Sequence, residues 1–257
     1  MTISSSFASS KYRVLISATG TGGHVLPAVL IAEALERHVS ESAESKSISI
    51  AFVGTGRSLE SELVDKYQVF NVPIVGLKGR GIGGVLQFCT KLPAALWGVW
   101  RLISRLRPNL IIGVGGYGSF LPVTLGRLRG VRTWIHEAEV NPGLANQVLS
   151  RYSSAVSVAF PNCTIRRKDA VFSGHPVRQQ LLGIEPRESL PERSANILIL
   201  GGSLGANAVD QAIRELVQFF DQRGLQLWHQ CRPENLDQLK ELYAAHGLQA
   251  RVDTFIH

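Results

Sequence analysis

A chain of 257 residues with 45% apolar and 18% charged residues is long enough for one large or two smaller cored domains, and its composition excludes a disordered chain. Its net charge of +7 is concentrated, because no acid stands between Asp65 and Glu137 while Lys66, Lys78, Arg80, Lys91, Arg101, Arg105, Arg107, Arg127, Arg129 and Arg132 fill that stretch. Such a one-signed field suits an anionic partner (nucleic acid, an acidic membrane or a phosphorylated substrate) or is a plain solvated basic surface.

Residues 1–11 are Ser-rich without an apolar core and are expected to form a disordered lead rather than a signal peptide. Tyr12 to Ser17 is a short apolar run feeding the glycine turn Thr19 to Gly23, and Pro27 to Arg37 repeats Ala, Leu and Ile at helical spacing. Ser47 to Val53 and Val69 to Val75 read as strands, with a short helix from Ser58 to Tyr67 between them. Val85 to Leu106 reads as a long helix with a break or second start at Pro93. Leu110 to Val114 is a buried strand closed by Gly115-Gly116-Tyr117-Gly118, and a helix follows. Arg132 to Ile135 is a strand ending at His136-Glu137, and Asn141-Pro142-Gly143 turns into a helix from Leu144 to Arg151. Ala155 to Ala159 and Ala170 to Phe172 are short strands. The uncharged run from Asn109 to Gly126 is broken by five glycines or prolines and suits a strand, turn and helix better than a membrane span.

The polar segment 183–195, with Pro186 and Pro191, makes a linker. The pattern then restarts with a strand from Asn196 to Leu200, a glycine turn from Gly201 to Gly205 and a helix from Ala206 to Phe220. Leu225 to Gln230, Glu234 to His246 and Arg251 to Ile256 give strand, helix and strand. Alternation of this kind predicts two Rossmann-like, doubly wound parallel-sheet α/β domains, one over 12–182 and a second, incomplete one over 196–257. Cys89, Cys163 and Cys231 are scattered and odd in number, which points to neither a disulfide framework nor a zinc site and suits a reducing cytoplasm.

Both glycine turns lie where a strand enters a helix, where bare backbone and free N–H groups attract phosphate. Dinucleotide binding fails two checks: Val25 stands where the fingerprint needs its third glycine, and Val53-Gly54-Thr55 stands where an acid should close the second strand. No P-loop pattern occurs. Two such turns, each opening its own domain, predict a ligand that touches both.

In order and spacing, Thr21-Gly22-Gly23-His24-Val25-x-Pro27, Gly113-x-Gly115-Gly116-Tyr117, His136-Glu137, Pro142-Gly143-x-x-Asn146, Gly174-x-Pro176-Val177-Arg178 and Gly201-Gly202-Ser203-x-Gly205-Ala206 resemble the MurG family from about Tyr12 to the end of the chain. The resemblance implies the GT-B fold, with an N-terminal domain for a lipid-linked acceptor and a C-terminal domain for UDP-N-acetylglucosamine. It implies inverting transfer of N-acetylglucosamine to the 4-hydroxyl of the muramoyl-pentapeptide on undecaprenyl diphosphate, in peptidoglycan synthesis. UDP-N-acetylglucosamine is then a substrate, no tightly bound cofactor and no nucleic acid are expected, and no metal ligands are identified; the need for a divalent ion stays open.

A single displacement needs a base on the acceptor hydroxyl and stabilisation of the departing diphosphate. His24 could be that base, could donate to the acceptor diphosphate, or could make a structural hydrogen bond. Gly20, Gly202, Gly205 and Ala206, with the Ser203 hydroxyl, form the expected phosphate loops. The resemblance adds Thr21, Gly22, Gly23, Glu139, Arg178, Ser203 and Ile256 on the donor side, with Ile256 where the family's backbone holds uracil. It puts Gly115, Gly116, Tyr117, His136, Glu137 and Asn146 on the acceptor side. Ile82, Phe88, Trp97 and Trp100, with Leu86 and Leu96, lie among Lys78, Arg80, Lys91, Arg101 and Arg105 and predict a mixed face. Part of it is core, and part docks peripherally on the anionic cytoplasmic surface of the inner membrane.

Three departures stand out. The family's His-Glu-Gln-Asn reads His136-Glu137-Ala138-Glu139, and Leu204 replaces a Gln in the second turn. An acid at Glu139 would repel a diphosphate unless protonated or turned away. The sequence also ends before the family's ribose- and sugar-binding segments. Much of the donor pocket is therefore expected to be missing, with apolar sheet surface left uncovered. A non-catalytic or split subunit, completed by a partner, is the alternative expectation.

Overall fold

The computed structural model describes residues 10–19, 22–42, 47–55, 65–73, 81–185, 195–202, 205–220 and 225–256. The chain divides into two compact units, Met1–Leu182 and Gly183–His257. The helix predicted from Ser58 falls mostly outside the described residues, as do Gly20, Thr21, Lys78, Arg80, Ser203 and Leu204.

The first unit is built on a seven-stranded sheet in the order β3-β2-β1-β4-β5-β6-β7. Its strands are β1 (Tyr12–Ser17), β2 (Ile48–Gly54), β3 (Gln68–Asn71), β4 (Leu110–Gly113), β5 (Arg132–Glu137), β6 (Ala155–Val158) and β7 (Val171–Phe172). All of its pairings are parallel. The central strands are apolar on both faces because helices cover both, as a parallel sheet requires. Ile16, Val25, Ala28, Ala32, Phe52 and Ile112 form one core layer. Leu15, Val53, Val99, Ile103, Ile111, Val123 and Ile135 form the other.

The reversal of strand order lies between β1 and β4, whose pairing runs from Val14↔Leu110 to Ser17↔Gly113. Loops leaving the carboxyl ends of those two strands therefore face one crevice, the usual ligand position in open α/β sheets. α1 (Gly22–Glu41) starts earlier than predicted, within the glycine turn, and contains Pro27. α2 (Gly81–Leu106) runs unbroken through Pro93, contrary to the predicted break. Proline removes one helical hydrogen bond there, and burial of Ala95, Val99, Leu102, Ile103 and Leu106 against the sheet outweighs that loss. A 3-10 turn (Tyr117–Ser119) leads into α3 (Phe120–Leu128), and α4 (Leu144–Leu149) and α5 (Gln179–Leu182) complete the unit.

The second unit is a three-stranded parallel sheet in the order β10-β9-β8. It comprises β8 (Ala195–Leu200), β9 (Leu225–Gln230) and β10 (Gln249–Asp253). Helices α6 (Asn207–Leu216) and α7 (Leu236–Ala245) join them. Ile213, Val217, Leu227, Leu239, Tyr243 and Val252 pack together as its core. β10 ends at Asp253, so Ile256 lies beyond the strand rather than in it as predicted. Leu198 and Leu200 are exposed on β8.

Candidate active site

Within the first unit the predicted acceptor residues converge on the carboxyl ends of β1, β4 and β5. Thr19, directly after β1, is fully buried. Its Oγ1 accepts from the Gly118 N–H at 2.9 Å, and Ser17 Oγ donates to the Gly118 carbonyl at 3.0 Å. The loop after β4 is thus clamped onto the end of β1. Glycine is obligatory there: a Cβ on Gly116, at φ 75°, would stand 2.3 Å from the Thr19 carbonyl oxygen.

That close approach brings His24, in the first turn of α1, over Gly115. A Cβ at Gly115 would lie 2.5 Å from His24 Cδ2 and 3.6 Å from Asn146 Nδ2. His24, Gly115 and Asn146 are therefore neighbours in space although far apart in the sequence. Burial lowers the His24 pKa from its ordinary value, and the Glu139 carboxylate pulls weakly the other way. The ring is accordingly neutral at pH 7, the state a base needs.

Asn146 is fixed from below. Its Nδ2 donates to Glu137 Oε2 at 2.9 Å, and Glu137 Oε1 accepts the Glu139 backbone N–H at 2.9 Å. Burial raises the Glu137 pKa, opposed by those hydrogen bonds. His136 faces Ser157 across the β5–β6 pairing, with Nδ1 2.9 Å from Ser157 Oγ, and Trp134 Nε1 donates to the same oxygen. Burial, helped by nearby His175, pushes the His136 pKa down to about 4. Among the described residues, His24 Nδ1, Asn146 Oδ1 and His136 Nε2 are buried without a protein partner. Buried polar atoms are ordinarily satisfied, so three orphans around one crevice mark places for a ligand's own polar groups.

The other predicted residues divide. Tyr117 packs against the hydrophobic core and Gly23 is exposed at the start of α1. Glu139 is exposed, as is Arg178, which forms no ion pair among the described residues. On α2, Trp97 and Trp100 are exposed, and the Arg129 guanidinium lies 4.4 Å above the Trp100 ring. Lys91 is exposed on the same helix. The side chains of Ile82 and Phe88 fall outside the described residues. Among the described residues no group of three His, Cys, Asp or Glu is placed to hold a metal ion.

In the second unit the glycine turn closes on itself: the Gly205 N–H donates to the Gly202 carbonyl at 3.0 Å, and both glycines take positive φ. α6 starts with no side-chain cap at Ala206. Its first N–H groups are thus left for an anion, which the helix dipole also favours. Gly205 sits on the loop after β9, where a Cβ would stand 2.7 Å from the Arg232 nitrogen.

That loop is held by a buried network the sequence did not reveal. Asp210 Oδ2 accepts from Asn235 Nδ2 at 2.7 Å and from the Arg232 N–H at 3.2 Å. Asp210 Oδ1 lies 3.2 Å from His229 Nε2, and His229 Nδ1 lies 2.9 Å from the Tyr243 hydroxyl. Only the acid in the first turn of α6 hinted at it.

Comparison with known proteins agrees with this arrangement. Residues 14–158 match the family description "Glycosyltransferase family 28 N-terminal domain", and residues 196–257 match "Glycosyltransferase family 28 C-terminal domain". The chain is 34% identical over 251 residues to a Myxococcus xanthus protein, covering 95% of this chain and 64% of that one. It is 33% identical to a Syntrophus aciditrophicus protein, covering 95% and 68%. Both bear the name UDP-N-acetylglucosamine–N-acetylmuramyl-(pentapeptide) pyrophosphoryl-undecaprenol N-acetylglucosamine transferase. The chain therefore spans about two thirds of the length of these relatives.

The crystal structure of Acinetobacter baumannii MurG superposes with a TM-score of 0.70 at 28% identity, covering 96% of this chain and 69% of that one. A UDP-GlcNAc 2-epimerase from Neisseria meningitidis, at 11% identity and a TM-score of 0.59, shares the fold alone. The GT-B architecture expected from the motifs is the one found. The chain belongs to glycosyltransferase family 28.

Proposed function

We propose that this protein is an inverting glycosyltransferase that moves N-acetylglucosamine from UDP-N-acetylglucosamine to an undecaprenyl-diphosphate-linked N-acetylmuramoyl-pentapeptide. The observation that carries the proposal is His24. It is a neutral imidazole with a buried, unpartnered Nδ1, held over glycine backbone in the crevice where β1 and β4 part. An unengaged imidazole nitrogen of this kind is suited to take the proton of an acceptor hydroxyl as it attacks the donor sugar. The relatives' names supply the donor and the acceptor.

In this reading the hydroxyl oxygen attacks the anomeric carbon from the face opposite UDP, the carbon–oxygen bond to the diphosphate breaks, and configuration inverts. Asn146 Oδ1, fixed through Glu137, orients the acceptor. The Gly202–Gly205 turn and the α6 N-terminus take the charge accumulating on the departing diphosphate. On the second unit the backbone near Ile256 completes nucleotide recognition.

The lipid carrier puts the acceptor at a membrane. No helix among the described residues is long and apolar enough to cross one. Docking is therefore assigned to the exposed Trp97 and Trp100, with Lys91, Arg101 and the basic segment Lys78 to Phe88, on an anionic cytoplasmic leaflet. A partner that completes the donor site gains no support from the relatives, each of which is a single longer chain.

The test is to incubate the protein with radiolabelled UDP-N-acetylglucosamine and the lipid-linked muramoyl-pentapeptide and to extract the lipid. Label in the lipid fraction is expected. Label released only as free sugar, or a donor epimerised without transfer, would refute the assignment.

A further inference from the structure

The glycine turn after β8 and the segment after β10 leave strands on opposite sides of β9, and one side chain at the end of β9 bonds to both. Gln230 is the last residue of β9, the middle strand of the second sheet, and is buried. Its Oε1 accepts the Gly201 N–H at 3.2 Å, at the root of the glycine turn. Its Nε2 donates to the Thr254 carbonyl at 3.2 Å, just beyond the end of β10. A backbone bond reinforces the second link, because the Cys231 N–H donates to the Asp253 carbonyl at 3.0 Å.

Both linked segments leave the carboxyl edge of a parallel sheet, the edge where ligands bind in this class of fold. The turn leads into the uncapped start of α6, where a helix N-terminus favours phosphate. Residues Thr254 to Ile256, just beyond the end of β10, offer backbone groups suited to the edge of a base. A ligand with a base at one end and a diphosphate at the other must meet both segments at a fixed separation. Gln230 is the buried side chain that sets that separation. An amide is the side chain that can do so, having one acceptor and two donors on a single planar group.

We infer that Gln230 is a positioning residue that fixes the spacing between phosphate and nucleoside recognition for a nucleoside diphosphate on the second unit. The inference rests on the proposed donor assignment and adds to it a residue that need not touch the ligand. Its consequence is a coupling. Each half of the ligand binds its own segment whether or not Gln230 is present, but the two halves reinforce one another only when the spacing is right.

The test is calorimetric titration of the whole protein and of its Gln230→Leu and Gln230→Glu variants with UDP and, separately, with uridine. Melting temperatures are recorded alongside. Leucine removes both bonds; glutamate keeps an acceptor for Gly201 but sets a carboxylate against the Thr254 carbonyl. Both variants are expected to weaken UDP roughly tenfold, leucine through two lost hydrogen bonds and glutamate through one lost bond plus carboxylate–carbonyl repulsion, while uridine changes less than about twofold. Unchanged UDP affinity in both variants, or equal loss for UDP and uridine, would overturn the positioning role. A parent protein that binds uridine but gains nothing from the diphosphate would overturn it too. A parent that binds neither would instead sink the donor assignment beneath it.

Discussion

The imidazole of His24 rests against Gly115 so closely that a methyl group on the glycine would stand 2.5 Å from His24 Cδ2. Gly115 also holds a φ of 92°, which side-chain-bearing residues rarely adopt. Both constraints act at one residue, so the first prediction concerns it. Gly115→Ala should reduce kcat/KM for transfer at least 100-fold by displacing the ring, while UDP binding by the second unit stays within about twofold of the parent. Steady-state kinetics alongside UDP titration checks this.

The pH dependence follows from His24. Its folded pKa lies below the ordinary value because burial disfavours the imidazolium, and the Glu139 carboxylate opposes that effect. Activity should fall as pH drops through that pKa, since protonation removes the base. Glu139→Gln removes that opposing charge, so the His24 pKa falls further and the acid limb of the kcat/KM profile moves to lower pH. A limb that moves to higher pH would show that another group titrates.

Thr19 clamps the loop that carries Gly115. Thr19→Val keeps the shape but removes the acceptor for the buried Gly118 N–H. A destabilisation of about 1–3 kcal/mol is expected from an unsatisfied buried donor, read by denaturant unfolding of the first unit.

Asp210 in the second unit has a larger effect. Asp210→Ala removes the acceptor of the Arg232 N–H and one of the two acceptors of Asn235 Nδ2, the other being Asn207 Oδ1, next to the Gly205 turn. An unsatisfied buried donor together with the cavity left by the carboxyl costs about 2–4 kcal/mol, so this unit should lose much of its stability. Asp210→Asn retains an acceptor and should lose markedly less. Urea unfolding monitored at Trp228, on β9, separates the two.

The membrane reading gives a fifth prediction. Trp97 is 65% exposed, whereas the Arg129 guanidinium stacks over the Trp100 ring. Trp97→Ala should leave the melting temperature within about 1 °C. It should weaken sedimentation with anionic vesicles several-fold, and added salt should weaken the parent in the same assay.

Much of this was legible in the sequence. Tyr12 to Ser17 and Leu110 to Val114 were readable as strands because short, mostly apolar runs leading into glycine turns carry both pattern and punctuation, and Leu225 to Gln230 because its apolar residues stand between Gly224 and Pro233. Pro93 misled, because propensity weighs one missing bond while the helix is decided by a buried face about three turns long, from Ala95 to Leu106. His24, Gly115 and Asn146 could be listed from motifs, yet their contact depends on the β1–β4 pairing. Thr19, Ser157, Asp210 and Gln230 carried no motif at all: their importance lies in which backbone group each one reaches, and that is fixed only by strand order.

The central claim, that His24 is the base for sugar transfer to a lipid-linked acceptor, is tested most directly by one comparison. Transfer of radiolabelled N-acetylglucosamine into extracted lipid is measured for the parent and for His24→Gln, with donor and acceptor saturating. The account predicts lipid-borne label with inverted configuration for the parent and a rate about 100-fold or more lower for His24→Gln, with loss of the acid limb. Equal rates for the two proteins would contradict it.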